Sequence, residues 1–487
     1  MTKLSPTAND PRPLPDIRTG INRGATYGLF GDAEQFMPQV RALGGRFVRV
    51  NLCWSQVEPE RGRFDWTVAD TFFDQLQDGD EAWVTVVASS PWAIKRPTWF
   101  LPASPAEDLD RYRSFINELV RRGRGRIRFW QCEIEPCIPM LWSGTPEEYL
   151  AHLHVFHEAV KQADPGALVA LGGAVPAAMI ADDPSGNALW IDYFDRILRD
   201  GGPDFDVFDI HPYGDPYQIP AMIQACQRQM AKHGYDKPIA ATEFNGPMPT
   251  SFRQNLTHLG PVLAAHRQQF LGETSIPDGG PQESESEPAV AALYERLETL
   301  PATLRMFMTG CSPDLAAKRR RLTSRDIVTR TLLLLAGGVR RTACFQLAPE
   351  SPNQDNPHTV RALMFGSFAL MDFDGARHQP TADTCELLSR YLDGVREVRR
   401  IELVERPEIH LYEVHRTCDE PLLVAWRRCD DFDAEDQPAI PFDRPWPHPT
   451  ACAVDAFGGA VRVEVADGRL HLPLSVTPVF ITPGQHR

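Results

Sequence analysis

Two glutamates each lie at the end of a short apolar run. Glu135 closes RFWQCEIE, and Glu243 lies in PIAATEF. Apolar runs of this length are typical of parallel strands that are buried on both faces. Each run therefore predicts a strand that carries a carboxylate at its C-terminal end, where barrel enzymes hold their active sites. Two carboxylates on one rim are the groups that hydrolysis of a glycosidic bond requires.

The elements that must position these glutamates recur from about residue 20 to residue 395. Short apolar runs alternate there with amphipathic stretches, which is the pattern of strand–helix units in a parallel sheet. The runs lie at residues 21–25, 46–52, 82–90, 127–135, 167–175, 205–213, 238–244 and 342–348. Eight units predict an α/β fold, a closed (β/α)8 TIM barrel, which brings the two glutamates to one rim.

The chain is predicted to contain two domains. Beyond a helix predicted at 381–394, short segments alternate apolar and polar residues between turns, which indicates a β-sandwich. We therefore assign residues 1–395 to the barrel and 396–487 to an accessory β-sandwich. An insertion at about 247–321 follows the seventh strand and is too long for an ordinary loop; it includes the acidic segment 278–288. We expect it over the catalytic rim, as a lid, a surface for a protein partner or a partly disordered segment.

Charge and composition indicate which classes of molecule the protein is expected to bind. The 487 residues have a formal net charge of −15, and the basic run Lys318–Arg321 is short. This argues against nucleic acid and anionic membrane as partners, and the run is interpreted as a solvated face. The N-terminus is polar and no stretch reaches about 18 apolar residues, so we expect a cytoplasmic protein. The ten cysteines form no CxxC pair, and we expect no metal or other cofactor.

Taken in order, the motifs resemble the clan A retaining glycoside hydrolases, and within them family 39 and its relatives. GGRFVRVNLCWSQVEPERGRFDW (44–66) is similar to the second-strand signature of that group, IEPCIPMLWSGTPEEYL (134–150) to its acid/base segment, and ATEF (241–244) to its nucleophile strand. The resemblance implies a retaining glycosidase that cleaves β-linked oligo- or polysaccharides or glycosides by double displacement. The alternative is a weakly active or inactive glycosidase-like barrel that binds a glycan or a protein partner, because fold alone does not confer function.

The resemblance also implies roles for individual residues. Glu135 would be the general acid/base and Glu243 the nucleophile. Arg49 matches the arginine that accompanies the nucleophile, while His211 and Tyr213 match rim residues that contact the nucleophile or the sugar. Further substrate contacts are expected from Asn51, Trp54, Trp92 and Trp99. The alternatives are a structural ion pair for the arginine and core packing for each tryptophan.

This chain departs from the family pattern at several positions. Ile134 stands where relatives carry an asparagine that binds the sugar 2-hydroxyl, Cys344 corresponds to a common tryptophan platform, and Glu133 replaces an aromatic residue. Glu133 is also a rival acid, because residues two apart on a strand face the same side. The adjoining Pro136 favours Glu135 as the acid. These departures leave the sugar specificity, and the level of activity, open.

Overall fold

The computed structural model describes residues 14–24, 32–87, 89–98, 101–181, 188–270, 287–349, 356–418 and 420–484. Eight parallel strands form a closed barrel in the order of the chain. They are β1 (Arg18–Asn22), β2 (Phe47–Cys53), β3 (Glu81–Val87), β4 (Ile127–Cys132), β5 (Leu168–Ala174), β6 (Val207–Ile210), β7 (Ile239–Phe244) and β8 (Arg341–Phe345). The predicted (β/α)8 fold is confirmed.

Helices surround this barrel and fill its connections. They are α1 (Met37–Ala42), α2 (Trp54–Val57), α3 (Thr67–Gln75), α4 (Leu109–Gly123), α5 (Pro146–Ala163), α6 (Ala188–Asp200), α7 (Ile219–Lys232), α8 (Leu256–Phe270), α9 (Pro288–Tyr294), α10 (Ala302–Arg305), α11 (Pro313–Ala336), α12 (Val360–Phe365) and α13 (Thr381–Tyr391). Within the described ranges, none of these helices combines the length and the apolar character needed to cross a bilayer.

The barrel interior consists of layers of side chains, one apolar and the next polar. An apolar layer fills its N-terminal half: Phe47, Trp83, Phe129, Ala170, Val207, Ala240 and Ala343. Side chains two positions along a strand point the same way, so the next interior layer comes from residues two further on. That layer is polar and buried, and it includes Arg49, Thr85, Gln131, Asp209 and Thr242. Polar side chains are thereby concentrated toward the C-terminal rim.

A register shift in β7 changes the direction in which the Glu243 side chain points. Ala241 pairs with Thr342, but Phe244 pairs with Cys344, so β7 contains one residue more than β8 over this stretch. An extra residue interrupts the alternation of side chains between the two faces. As a result, Thr242 and Glu243 both make hydrogen bonds inside the barrel, whereas Phe244 packs in the outer core.

The C-terminal strands form two antiparallel sheets, as predicted for a β-sandwich. A five-stranded sheet has the order β13-β16-β11-β10-β9, and a three-stranded sheet the order β12-β15-β14. The strands are β9 (Val395–Arg400), β10 (Ile409–Arg416), β11 (Leu422–Arg427), β12 (Ile440–Pro445), β13 (Ala451–Asp455), β14 (Glu464–Ala466), β15 (Arg469–Leu474) and β16 (Val479–Pro483). Both sheets contribute apolar side chains to a shared core.

The described part of the insertion has a small apolar core of its own. Side chains from α8, α9 and the stretch around α10 pack together with α12. The end of the predicted insertion is helical, because α11 begins at Pro313 and residues 313–321 form its first part. Most of the acidic segment 278–288 lies outside the described residues.

The basic run of α11 faces the sandwich, so its interpretation as a solvated face was wrong. Lys318 Nζ lies 2.5 Å from Asp433 Oδ1, and Arg321 Nη2 lies 2.7 Å from Glu435 Oε1. Arg325, one turn further along α11, binds Glu435 at 2.9 Å. The partners lie far away in the sequence, which explains why charge patterning alone did not reveal them.

A second contact joins the sandwich to the loop that follows β6. Trp426 Nε1 donates a hydrogen bond to the hydroxyl of Tyr217 at 3.0 Å. The rings of His410 and Tyr412 stack with Trp426, each with a centroid distance of 5.2 Å. The loop after β6 is therefore packed against β10 and β11.

Candidate active site

Glu243 lies near the C-terminal end of β7 between two donors. Arg49 Nη1 donates to its Oε2 at 2.9 Å, and the Tyr213 hydroxyl donates to its Oε1 at 3.1 Å. The arginine is fully buried. A buried guanidinium next to a carboxylate stabilises negative charge on it. Both oxygens are thus oriented, as a nucleophilic carboxylate requires.

The position of Arg49 is fixed by a hydrogen-bonded chain that crosses the barrel. Arg49 Nε donates to Thr85 Oγ1 at 3.0 Å, and Thr85 donates in turn to Gln131 Oε1 at 2.6 Å. Gln131 Nε2 then donates to Asp209 Oδ2 at 2.8 Å. Two buried polar atoms near this chain have no partner in the described part of the protein: Arg49 Nη2 and Asn51 Oδ1. The expectation that Asn51 contacts the substrate stays a prediction.

Glu135 does not lie in a strand, because β4 ends at Cys132. Glu133 and Glu135 have φ angles of 62° and 40°, in the left-handed region that residues other than glycine seldom adopt. The prediction that these two glutamates face the same side of a strand was therefore wrong. Backbone of this kind is concentrated at functional sites, where the surrounding structure holds it in place.

His211 links the two predicted catalytic carboxylates. Its Nδ1 donates to Glu135 Oε1 at 2.5 Å and lies 3.9 Å from Glu243 Oε2, while its Nε2 donates to Asp209 Oδ2 at 3.3 Å. Burial lowers the pKa of His211, but the charges of Glu243 and Glu135 and the hydrogen bonds to Asp209 and Glu135 raise it to about 10. His211 is therefore a buried cation at neutral pH. One oxygen from each glutamate and a ring nitrogen of His211 lie within 4.8 Å of one another.

Tyr213 remains a neutral donor to Glu243. Burial, followed by the charges of Glu243 and Glu135, raises the pKa of the Tyr213 phenol well above its ordinary value. Its ring stacks on Phe368 with a centroid distance of 6.2 Å and meets the edge of Phe365 at 5.9 Å. These two phenylalanines were not identified from the sequence, because they follow β8 and meet the site only in the closed barrel.

One oxygen each of Glu135 and Glu243 and a ring nitrogen of His211 lie close enough together to bind a metal ion as well. The guanidinium of Arg49 already neutralises Glu243 at 2.9 Å. The pKa of His211, raised to about 10, favours a proton on the nitrogen that a metal would need. A metal ion could bind here only by displacing that proton.

Two adjacent glycines in β5 allow the site to pack closely. A Cβ atom at Gly173 would clash with the ring of His211, and one at Gly172 would lie 2.7 Å from Cδ of Pro136, next to Glu135. Both glycines fall within a register shift between β5 and β6. A Gly-Gly pair inside a strand pattern is a sequence signal for such a bulge, and it was missed.

The tryptophans differ in what they can contact. Trp54 is only 1% exposed, stacks on Phe115 with a centroid distance of 5.0 Å, and donates to Glu58, so the expectation that it contacts a sugar is corrected to core packing. Trp92 is partly exposed and donates to the Glu58 carbonyl at 2.9 Å, so its role at the rim stays a prediction. Trp99 lies outside the described residues.

Cys344 does not occupy the position of a sugar platform. Its side chain belongs to the outer core, and a hydrogen bond with Cys385 on α13, together with burial, raises the pKa of its thiol. Side chains alternate along β8, so the neighbouring Phe345 faces the other way, and its ring centroid lies 6.5 Å from that of Phe365. Cys344 therefore does not offer a surface to a bound sugar.

Comparisons with known proteins support the architecture. No family model and no curated protein matches the sequence. Among solved structures, a family 39 glycoside hydrolase from Bacteroides cellulosilyticus is 14% identical with a TM-score of 0.57, covering 98% of this chain and 82% of the other. A glucosidase from Croceicoccus marinus is 14% identical with a TM-score of 0.55, covering 98% of each chain. A family 51 alpha-L-arabinofuranosidase from Bifidobacterium longum is 12% identical with a TM-score of 0.54, covering 97% of each chain.

At these identities the likeness establishes the fold alone. The barrel with its C-terminal sandwich is shared with these clan A enzymes over nearly the whole chain. The resemblance inferred from the motifs is thereby confirmed at the level of architecture.

Proposed function

We propose that this protein is a retaining glycoside hydrolase that cleaves a β-linked saccharide by double displacement. The observation that carries the proposal is the approach of one Glu135 oxygen to within 4.8 Å of one Glu243 oxygen, around His211. Retaining enzymes hold their two carboxyl groups about 5–5.5 Å apart, whereas inverting enzymes need about 6.5–9.5 Å to admit a water molecule. The short separation favours direct attack by one carboxylate on the sugar.

The partners of each carboxylate support distinct roles. Glu243, held by Arg49 and Tyr213, would attack the anomeric carbon and form the covalent glycosyl intermediate. Glu135 would protonate the leaving oxygen, and then take a proton from the water that releases the sugar. In the first step, His211 Nδ1–H would pass its proton to the Glu135 carboxylate as Glu135 protonates the leaving oxygen, and the proton that Glu135 takes from water in the second step would return to His211.

A mechanism-based inhibitor tests this proposal directly. A panel of aryl β-glycosides would identify a hydrolysed sugar, and the matching 2-deoxy-2-fluoro glycoside should then trap the intermediate. Peptide mapping by mass spectrometry is expected to place the label on Glu243. Absence of turnover and of labelling across the panel, with glycan binding retained, would favour the alternative of an inactive glycan-binding barrel. Turnover without a label on Glu243 would contradict the assigned nucleophile.

Ile134 supports a particular restriction on the substrate. It is partly buried, packs against the main core and precedes Glu135, where relatives carry an amide. An isoleucine cannot hydrogen-bond a sugar hydroxyl, and an unpaired buried hydroxyl costs about 1–3 kcal/mol. We therefore propose a sugar whose 2-position is substituted, deoxygenated or bound by another residue.

Replacing Ile134 with asparagine is expected to raise kcat/KM on ordinary 2-hydroxy β-glycosides about tenfold or more. That factor corresponds to about 1.4 kcal/mol of transition-state stabilisation. Ile134→Leu, which stays apolar, is the control and should leave kcat/KM unchanged. If the native protein already hydrolyses 2-hydroxy glycosides efficiently and Ile134→Asn is neutral or harmful, another residue must bind the 2-hydroxyl.

Gly173→Ala is expected to lower kcat by roughly 100-fold, the effect of displacing a positioned group by about 1 Å. The added methyl group would push the His211 ring away from Glu135. Gly166→Ala is the control, because its Cβ would lie no closer than 3.4 Å to any neighbour, before the start of the same strand. Initial rates and thermal melts of both variants would be compared. Normal activity of Gly173→Ala would show that the exact position of His211 is not needed.

The position of the insertion suggests a role beside this site. Its helices pack against α12, and Phe365 of α12 touches the ring of Tyr213. We propose that residues 247–321 shape the substrate cleft or recruit a protein partner there. Because only α12 separates the insertion from Tyr213, we expect the insertion to affect which substrates the protein accepts.

A further inference from the structure

The loop after β6 is held by an arginine from a helix more than a hundred residues away. Arg330 of α11 donates from Nη1 to the Pro212 carbonyl at 2.8 Å, and from Nη2 to the Gly214 carbonyl. These two carbonyls flank Tyr213 on either side. The planar guanidinium, with its fixed fork of donors, can hold both at once, which a lysine ammonium cannot do with the same geometry.

Arg330 is buried and is paired within its own helix. Its Nε donates to Asp326 Oδ2 at 2.7 Å, one turn earlier. Burial raises the pKa of Asp326, the charge of Arg330 and its hydrogen bond lower it, and Asp215 raises it further. Removing the arginine would therefore leave a buried carboxyl and two backbone carbonyls without their donor, which is costly in a dry environment.

The same ion pair also contacts the segment that leaves β7. A Cβ atom at Gly246 would clash with Asp326 Oδ2 and would lie 2.8 Å from Arg330 Nη2. Gly246 comes three residues after Glu243. The Asp326–Arg330 pair thus lies against both the loop with Tyr213 and the segment after Glu243, and it can fix their relative position.

We propose that Arg330, supported by Asp326, is a positioning residue that holds the Tyr213 hydroxyl against Glu243 and so sets the orientation of the nucleophile. The proposal rests on the proposed function. Arg330 does not touch the substrate; it acts through the backbone of residues 212–214. None of the sequence motifs assigned it a role, because its contacts with residues 212–214 are made to backbone carbonyls.

Arg330→Lys tests the proposal, with Arg341→Lys as the matched control. Arg341 is equally buried, on β8, and pairs with Glu81 and Asp16 at the opposite end of the barrel. Both variants should lose stability. Arg330→Lys alone should lower kcat, by about tenfold or more, with KM changed by less than about threefold, the pattern of a lost transition-state interaction. An equal fall of kcat in both variants would overturn the proposal.

A double-mutant cycle separates positioning from general destabilisation. If Arg330 acts through Tyr213, Arg330→Lys should have little further effect on kcat in a Tyr213→Phe background. Additive losses would overturn the proposal. Should Arg330→Lys fail to fold, Asp326→Asn takes its place in the same cycle, because it removes the carboxylate that orients the guanidinium.

A measurement without substrate keeps this test independent of the proposed function. With 3-fluorotyrosine incorporated, the fluorine NMR resonance of residue 213 should shift or broaden in Arg330→Lys and remain unchanged in Arg341→Lys. An unchanged resonance in Arg330→Lys would overturn the positioning role even if the enzyme is active. Failure of every glycoside to react, with the resonance shifted as expected, would instead count against the proposed function.

Discussion

Glu243→Ala is expected to abolish turnover of any aryl β-glycoside that the protein hydrolyses, lowering kcat by about 10⁴-fold or more. The substitution removes the carboxylate that would form the glycosyl bond, while Arg49 and Tyr213 remain in place. Azide should partly restore turnover, because the anion fits the vacated space beside the Arg49 guanidinium. The azide would attack directly from the nucleophile's side, so the product should be the inverted α-glycosyl azide.

The measurement is the rate of aryl-group release with and without azide, followed by proton NMR of the product. Asp209→Asn is a useful comparison, because it disturbs the same buried network without removing a proposed catalytic carboxylate. It should lower the rate without any rescue by azide. A β-configured azide product from Glu243→Ala would assign the nucleophile role to a different group.

Glu135→Ala is expected to show a different pattern. Substrates with activated leaving groups, such as dinitrophenol, should keep a fast first step, because such groups hardly need protonation. Poor leaving groups should react about 10²–10⁴-fold more slowly, the usual contribution of general acid catalysis. Here azide would attack the glycosyl intermediate and give the retained β-glycosyl azide. Rates across a series of phenyl glycosides with different leaving-group pKa values would check this.

Glu133→Ala is the decisive comparison for this second experiment. Glu133 lies in the same left-handed turn and is equally buried, but its carboxyl is not one of the three groups gathered around His211. It should lose stability without acquiring a new dependence on the leaving group. If Glu133→Ala shows that dependence and Glu135→Ala does not, the acid has been assigned to the wrong residue.

The pH dependence of stability offers a test that needs no substrate. The pKa of His211 is raised from 6.5 to about 10 in the folded protein, so its stabilising contribution is fully present below pH 6.5 and is lost as the pH rises through 10. The unfolding free energy of the native protein should exceed that of His211→Gln by on the order of a few kcal/mol at low pH. Urea denaturation should show this difference shrinking between pH 6.5 and 10. Burial lowers the pKa of His152 to about 3, so replacing His152 in the same way should give a difference that stays constant between pH 6.5 and 10.

Much of the fold followed from local patterns in the sequence. Apolar runs predicted the eight barrel strands, and short alternating segments between turns predicted the sheets of the sandwich. These signals act over a few residues, so one sequence is enough to detect them. The roles of Glu135 and Glu243 remain predictions, although the structure brings their carboxylates together.

The errors arose where tertiary contacts override local rules. The strand before Glu135 ends at Cys132, so the alternation that we assumed for Glu133 and Glu135 does not hold there. Cys344 was matched to a platform by sequence order, but it faces α13. Arg330 was missed because its hydrogen bonds to the loop after β6 go to backbone carbonyls, which any loop sequence could provide.

The contact between Trp426 and Tyr217 limits how the sandwich can be removed or exchanged without affecting the barrel. Tyr217 follows His211 and Tyr213 in the same loop, and Trp426 belongs to the sandwich. The ion pairs of α11 with Glu435 attach the sandwich to the same helix that carries Arg330. A chimera that exchanges the sandwich near residue 395 would thus replace the residues that contact the loop after β6 and helix α11. Donor sandwiches would need to supply both an indole at this position and a carboxylate facing α11.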